Sequence, residues 1–209
     1  MFVIFDYCQN FEFFEEHPDD ELAIKSLRKL YQRFSKNAEL SRMLRRAADH
    51  ASTEVKRCDF LLEKVKVDEE CGELRGAIEC LRRVTSYNSE NIELRQKLVA
   101  LQREAGDDIR VLVTLDELAQ LVEGEQRLGV YLQKAIVLDE NLNRSREASE
   151  LLERILEELP KKESSGAREL VEKLKDLADK LHDDRPALLA RETEYLWLLL
   201  KAKNNKDDL

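Results

Sequence analysis

One spacing of apolar residues occurs twice in succession in the middle of the chain, and it constrains the fold more than any other feature. From Ala77, apolar residues follow at offsets of 4, 7, 17, 21 and 24, and the same five offsets from Val111 are apolar again, 34 residues later. Offsets of 4 and 7 place three residues on one face of a helix, and offsets of 17, 21 and 24 do the same for a second helix. Each copy therefore predicts a helix, a turn and another helix.

Two further copies extend this pattern. One begins upstream at Ala23, and one begins downstream at Ala148, although its second helix is shifted by about one residue. The first interval, from Ala23 to Ala77, is 54 residues, so residues 53–76 are expected to hold a divergent or broken repeat. Because one hairpin cannot cover its own apolar face, the copies must pack on one another. The sequence predicts an all-α fold of repeated helical hairpins, with an irregular helical bundle as the alternative, since amphipathic helices of any fold carry leucines at these spacings.

Helix boundaries follow from capping residues and breaks in the apolar pattern. Asp20, Asn37, and Ser52 or Thr53 are candidate N-caps, and Gly106 and Gly124 mark junctions between helices. The adjacent acids Glu69-Glu70, Asp107-Asp108 and Asp183-Asp184 are expected at helix starts, where backbone N–H groups favour negative charge. Helices are predicted at about 20–35, 37–49, 70–86, 91–104, 108–122, 125–140 and 145–159, with another opened by residue 52 or 53.

The pattern resembles tetratricopeptide repeats over roughly residues 20–182. A small residue opens one helix in three copies, residues 91–107 resemble the first helix and turn of such a repeat, and residues 148–160 resemble a second helix closed by the family's usual proline. The family's tryptophan, glycine and tyrosine positions are not filled, and one copy alone carries the proline. The resemblance implies a solenoid in which the first helices line a concave groove that binds extended peptides.

The resemblance also implies which residues would contact a partner. The outward polar positions of the first helices are mostly basic, and basic side chains make charge-assisted hydrogen bonds to carboxylates. The implied ligand is therefore an acidic peptide or a C-terminal carboxylate of a protein partner, although ordinary solvated arginines would give the same pattern. The residues at these positions are Arg42, Arg46, Gln96, Lys97, Arg127, Tyr131 and Lys134.

Three regions are expected. Residues 1–18 form an extended aromatic and acidic N-terminal arm, residues 19–160 form the helical repeat domain, and residues 161–209 form a C-terminal helical pair that caps the repeats and ends in a frayed tail. Five of the seven phenylalanines lie between positions 2 and 14. So many aromatic side chains need burial, and dimerisation through the arm is one way to provide it.

The arm carries a second resemblance. Residues 2–14, and above all the string Asp-Tyr-Cys-Gln-Asn-Phe-Glu-Phe-Phe at 6–14, are similar to a segment that follows the helicase motor in the R, or motor, subunits of type I restriction endonucleases. This resemblance implies an alternative function, a motor-less C-terminal helical fragment of such a subunit that contacts other subunits or DNA. The family's ATPase and nuclease parts are missing from this sequence.

Charge is distributed unevenly. The net charge is −9, yet residues 25–57 hold ten Lys or Arg against three acids, whereas residues 1–21 hold seven acids and no Lys or Arg. The basic stretch is either a contact surface, for nucleic acid or for an acidic peptide, or the partner that neutralises the acidic arm within the folded chain. The overall negative charge makes nucleic acid the less favoured partner.

No motif for catalysis, nucleotide binding or metal binding is present in the sequence. The four cysteines form no Cys-x-x-Cys pair, and the three histidines lie far apart, so no metal site and no cofactor are predicted. No run of 18 apolar residues exists, and the N-terminus is a poor signal peptide. The sequence therefore predicts a cytoplasmic, non-enzymatic protein with no membrane association.

Overall fold

A computed structural model describes residues 12–158, 169–174 and 176, and within them every regular element is helical. Residues 12–16 form a short helical segment, and residues 169–174 are helical again near the other end. A π-helical turn, Val137–Asn141, follows the seventh helix. The α helices are α1 Glu21–Arg33, α2 Asn37–His50, α3 Glu54–Glu70, α4 Leu74–Tyr87, α5 Ile92–Glu104, α6 Asp108–Leu121, α7 Gly124–Ile136 and α8 Ser145–Glu158. The prediction of an all-α fold is confirmed.

Several of the predicted caps are present. Asp20 accepts a hydrogen bond from the Ala23 N–H at 2.8 Å, Thr53 accepts one from Lys56 at 3.3 Å, and Asp107 caps α6. Each side chain satisfies a backbone donor that the helix itself leaves free. These interactions explain why helices begin at these points.

Two details of the predicted boundaries are wrong. Asn37 is the first helical residue of α2 rather than its cap, because the N-cap position is Lys36 and makes no side-chain capping bond. The Glu69-Glu70 pair lies at the end of α3 instead of at a helix start. There Gly72 adopts a φ of +74°, which lets the Glu73 N–H bond the Asp68 carbonyl at 2.8 Å and close the helix.

The chain divides into two compact units, Met1–Ala105 and Gly106–Leu209. In the first unit each helix from α1 to α5 packs on the next. Ion pairs then join helices two apart: Arg28 with Glu63 at 2.7 Å, Arg83 with Asp49 at 2.9 Å, and Lys97 with Glu69 at 2.8 Å. Odd-numbered helices therefore meet odd-numbered ones and even meet even, which is the two-layer arrangement of a helical-hairpin repeat.

The core of the first unit is formed from the predicted apolar faces. One cluster lies between α1 and α2 around Leu27, Tyr31 and Leu44, and a second joins α3, α4 and α5 around Leu61 and Leu81. Burial of each such side chain contributes roughly 1.5–3 kcal/mol. In the second unit α7 packs on α6 and α8, and the π-helical turn packs on all three helices. The buried apolar side chains there include Val111, Leu115, Leu118, Leu128, Leu132, Ala135, Ala148, Leu152 and Ile155.

The helix order shows that the upstream copy, which begins at Ala23, is one helix out of step with the later copies. The copies that begin at Ala77 and Val111 pair an even helix with the following odd one, α4 with α5 and α6 with α7. The copy from Ala23 instead pairs α1 with α2, and α3 fills the interval that was expected to be a broken repeat. Residues 53–76 therefore contain one regular 17-residue helix, Glu54–Glu70, and the turn that follows it.

Within the N-terminal arm, residues 12–16 differ from the extended conformation expected for residues 1–18. Residues 12–16 are helical, and residues 1–11 lie outside the described residues. The reason is the burial of Phe14, which is 2% exposed and packs among the side chains of α1 and α2. Phe13, one position earlier, is 46% exposed and stacks on His17.

The C-terminal region is described only in part. Leu170 and Leu174, the shifted positions of the last copy, are both buried. The final predicted helix and the Asp183-Asp184 pair lie outside the described residues. The domain boundaries expected at 18/19 and 160/161 remain predictions.

Arg57, at the start of α3, closes the C-terminal end of α2. Its guanidinium donates hydrogen bonds to the carbonyls of Ala48 and Ala51, each at 3.3 Å, and to the Tyr87 hydroxyl at 3.3 Å. We expect Arg57→Ala to lower the free energy of unfolding by about 1–2 kcal/mol, because half-buried acceptors lose a charged donor. Urea unfolding followed by circular dichroism measures the change. The control is Arg82→Ala, which removes an exposed arginine and is expected to change stability by less than about 0.5 kcal/mol; equal effects would contradict the prediction.

Candidate functional site

A pocket of about 490 Å³ opens in the first unit where the helical segment 12–16 lies against α1 and α2. Two of the predicted contact residues, Arg42 and Arg46, line it. We refer to it as the Arg42 pocket, and its lining residues are Phe14, Glu15, Tyr31, Glu39, Arg42, Met43 and Arg46.

The helix geometry of α2 explains this placement. Residues 39, 42, 43 and 46 are spaced by three or four positions, so they share one face of α2. Met43 on this face is buried, while Arg42 is exposed. The face therefore presents charged groups above an apolar floor to which Phe14 and Tyr31, both 2% exposed, also contribute.

The two arginines of the pocket differ in what they contact. Arg46 forms an ion pair with the Glu15 carboxylate, donates a second hydrogen bond to the Glu15 backbone carbonyl at 2.6 Å, and lies 5.9 Å from the centroid of the Phe14 ring. Arg42 forms no ion pair with any residue that the structure describes. The pocket thus holds one arginine that is occupied by an acid of the same chain and one whose charge is available to a ligand.

Gln96 and Lys97 lie on α5, away from the Arg42 pocket. Gln96 is exposed, and Lys97 forms a 2.8 Å ion pair with Glu69 of α3. Because α2 belongs to the even-numbered layer and α5 to the odd-numbered one, the structure does not bring these two residues together with Arg42 and Arg46. Within the first unit, these four residues therefore do not line one continuous basic groove.

Arg127, Tyr131 and Lys134 lie on α7 in the second unit. Each contacts a side chain of that unit: Arg127 reaches Glu158 at 3.5 Å, Lys134 reaches Asp116 at 2.5 Å, and the Tyr131 ring lies 4.7 Å from the Arg154 guanidinium. These contacts link α7 to its two neighbours, α6 and α8. Of the seven predicted residues, Arg42 is the one that lines a pocket and whose charge has no acidic partner within residues 12–158, 169–174 and 176.

Sequence reasoning missed the acidic and aromatic members of the pocket. Glu15 and Phe14 come from the arm that was expected to be extended, and Tyr31 and Glu39 had no assigned role. One signal was present, since residues 1–21 hold seven acids and no Lys or Arg and precede a stretch with ten Lys or Arg. The ion pairs of Glu15 with Arg46 and of Glu21 with Lys56 show that acids of residues 1–21 neutralise part of this basic stretch.

A buried polar cluster in the first unit joins a serine, a lysine and an aspartate across two helices. The Ser41 hydroxyl donates to Asp68 at 2.6 Å and accepts from Lys64 at 2.9 Å, and Lys64 also pairs directly with Asp68. Lys64 and Asp68 are both buried, and the three side chains satisfy one another's hydrogen bonds. The cluster is a structural contact between α2 and α3.

Cys58 and Cys80 are buried thiols of the first unit. Burial raises the pKa of the Cys58 and Cys80 thiols, which keeps both protonated and unreactive at neutral pH. No group of His, Cys, Asp or Glu with metal-binding geometry occurs in residues 12–158, 169–174 and 176. Across the same stretch, none of the helices combines the length and apolar character that a membrane span requires.

No protein-family model matches the chain, and no curated protein sequence matches it. Solved structures are similar. The chain matches TPR-like repeats of nearly identical sequence from a Podosopora anserina protein described as a kinesin light chain, with 17% identity over 92% of this chain and 98% of that one, at a TM-score of 0.53. A variant of that structure gives 16% identity over the same shares, again at 0.53. The crystal structure of MamA is similar at 13% identity over 85% of this chain and 94% of that one, with a TM-score of 0.49.

Helix order, layer pairing and the similarity to the two Podosopora anserina structures together define an all-α helical-hairpin repeat fold. It is the TPR-like fold, and the predicted fold class is confirmed. These similarities do not test the resemblance of residues 2–14 to the R subunits of type I restriction endonucleases, which stays a prediction.

Proposed function

We propose that this protein is a non-enzymatic helical-repeat scaffold that binds an acidic peptide segment of a protein partner at the Arg42 pocket. The observation that carries the proposal is the exposed Arg42 guanidinium, which has no acidic partner among the described residues and lies at the edge of a pocket with an apolar floor. Pairing with a carboxylate supplies orientation, and the floor formed by Met43 and its neighbours supplies burial for an apolar side chain.

The chain's own contacts indicate which ligand chemistry suits this surface. The segment 12–16 has the sequence Glu-Phe-Phe-Glu-Glu, and it already places an aromatic ring in the floor and a carboxylate on Arg46. A partner peptide with alternating acidic and aromatic side chains would repeat this chemistry at Arg42. Such a peptide is favoured over nucleic acid because the chain's own segment already pairs a carboxylate with Arg46 and places an aromatic ring in the floor.

The test uses a fluorescein-labelled synthetic peptide with the sequence of residues 12–18, which we refer to as the probe peptide, and fluorescence anisotropy with the full chain. Arg42→Glu is expected to weaken binding about tenfold, since it replaces a charge-assisted hydrogen bond by repulsion. The matched control is Arg45→Glu, which makes the same charge change at an exposed position of α2 that does not line the pocket. It is expected to change the affinity less than about twofold.

Three outcomes would contradict the proposal. Equal losses in the two variants would indicate a general electrostatic effect, and equal binding of a peptide whose three glutamates are replaced by glutamine would exclude carboxylate recognition. Tight, steeply salt-dependent binding of a labelled oligonucleotide in place of the probe peptide would favour nucleic acid instead.

A further inference from the structure

We infer that the segment 12–16 is an intramolecular competitor for acidic peptides, with Glu15 occupying Arg46 until a ligand carboxylate displaces it. The inference rests on the proposed function and names how that site is regulated. It assigns to the N-terminal segment a role beyond covering apolar side chains of α1 and α2.

Two residues of the segment 12–16 have different roles: one anchors the segment in the core, and the other blocks Arg46. Phe14 is the anchor, because its ring is 2% exposed and packs in the same cluster as Tyr31 and Met43. Glu15 blocks, because its carboxylate and its backbone carbonyl together take both terminal nitrogens of Arg46. These Arg46 contacts are solvent-exposed, so they can open while the Phe14 ring stays in place.

The spacing of Arg42 and Arg46 lets one ligand contact both arginines, so the competition for Arg46 affects the affinity of such a ligand. Arg42 and Arg46 are four positions apart on one helix face, so their guanidinium groups are close enough for neighbouring acids of one peptide. A ligand that reaches only Arg42 does not meet Glu15. A ligand that pairs with both arginines must first release Arg46, and its apparent affinity falls by the fraction of molecules in which the arginine is free.

The competition also explains the charge pattern of the sequence. Residues 1–21 hold seven acids and no Lys or Arg, and they precede a stretch with ten Lys or Arg. Two of those acids, Glu15 and Glu21, pair with bases of that stretch in the folded chain. Both of these pairs are exposed at the surface, where ion pairs are weak and are screened by salt. A contact of this strength can be displaced by a partner with a higher density of acidic side chains.

The experiment compares Glu15→Gln with Glu16→Gln in the full chain, using the probe peptide. Glutamine keeps the size of the side chain and leaves Phe14 in place. Glu15→Gln is expected to raise the affinity about fivefold at low salt, with the gain shrinking as salt is added. Glu16→Gln removes the same charge from an exposed neighbour with no contact to Arg46, and it is expected to change the affinity less than twofold.

A third variant separates competition from general repulsion. In an Arg46→Gln background, Glu15→Gln is expected to give no gain, because nothing remains to be released. Equal gains in affinity from the Glu15 and Glu16 variants, or an unchanged affinity in Glu15→Gln, would overturn the inference. The proposed function would still stand if the affinity of the wild-type chain depended on Arg42. Failure of the probe peptide to bind wild type, Glu15→Gln and Arg46→Gln alike would overturn both.

Discussion

Replacing Asp68 by alanine is expected to lower the stability of the first unit by about 3–5 kcal/mol. Asp68 is 3% exposed and pairs with Lys64, which is 8% exposed, while its second oxygen accepts the Ser41 hydrogen bond at 2.6 Å. Removing the carboxylate leaves the buried Lys64 ammonium without its counter-charge. The free-energy cost of this unpaired buried charge exceeds the net stabilisation that the ion pair provides. Urea unfolding followed by circular dichroism and by hydrogen exchange in α2 and α3 measures the loss.

The control for this prediction removes both charges at once. The double change Lys64→Met with Asp68→Ala is expected to be less destabilising than Asp68→Ala alone by at least about 2 kcal/mol, since no unpaired charge stays behind. If the single and double variants were equally unstable, the loss would come from packing and not from the stranded ammonium. If Asp68→Ala cost under about 1 kcal/mol, the lysine would be reaching solvent through its flexible chain.

The fold could be predicted because it depends on a property that is local in sequence. Apolar residues at offsets of 4 and 7 define a helix face whatever the helix packs on, and the helices from 91 to 159 lie within a few residues of the predicted ranges. What spacing cannot distinguish is a hairpin of the first and second helices from one of the second and third. The copy from Ala23 matched the same offsets equally well, but it paired α1 with α2, whereas the later copies pair an even-numbered helix with the following odd-numbered one. The interval that the regular helix α3 fills was therefore expected to be a broken repeat.

The candidate site was less predictable for a physical reason. Whether a surface arginine or lysine is available to a ligand depends on acids that are distant in sequence. Glu15 lies 31 positions from Arg46, and Glu69 lies 28 positions from Lys97. Spacing within a helix predicts which residues face outward, but it does not show which charges are already paired. The arm was expected to be extended, yet residues 12–16 form a helical turn in which the Phe14 ring is buried among side chains of α1 and α2, contacts that lie far apart in sequence.

Gly76→Ala is expected to destabilise the first unit by about 2 kcal/mol, although alanine is the better helix former. A Cβ atom at Gly76 would lie 2.6 Å from an Asp68 carboxylate oxygen and 3.6 Å from the Lys64 ammonium. The carboxylate cannot simply move aside, because Ser41 and Lys64 both hold it. Either α4 shifts away from α3 or the buried cluster opens, and each alternative costs more than the roughly 1 kcal/mol gained from helix propensity.

A second glycine provides the matched control for this change. Gly129 lies within α7, and a Cβ atom there would meet nothing within 4 Å, so Gly129→Ala is expected to stabilise the second unit by about 0.5–1 kcal/mol. Hydrogen exchange resolved by helix is the appropriate measurement, because the two units need not unfold in one transition. Opposite signs are expected, with faster exchange in α3 and α4 for Gly76→Ala and slower exchange in α7 for Gly129→Ala. Stabilisation by both changes would show that helix propensity outweighs the contact with Asp68, and that the buried cluster tolerates displacement.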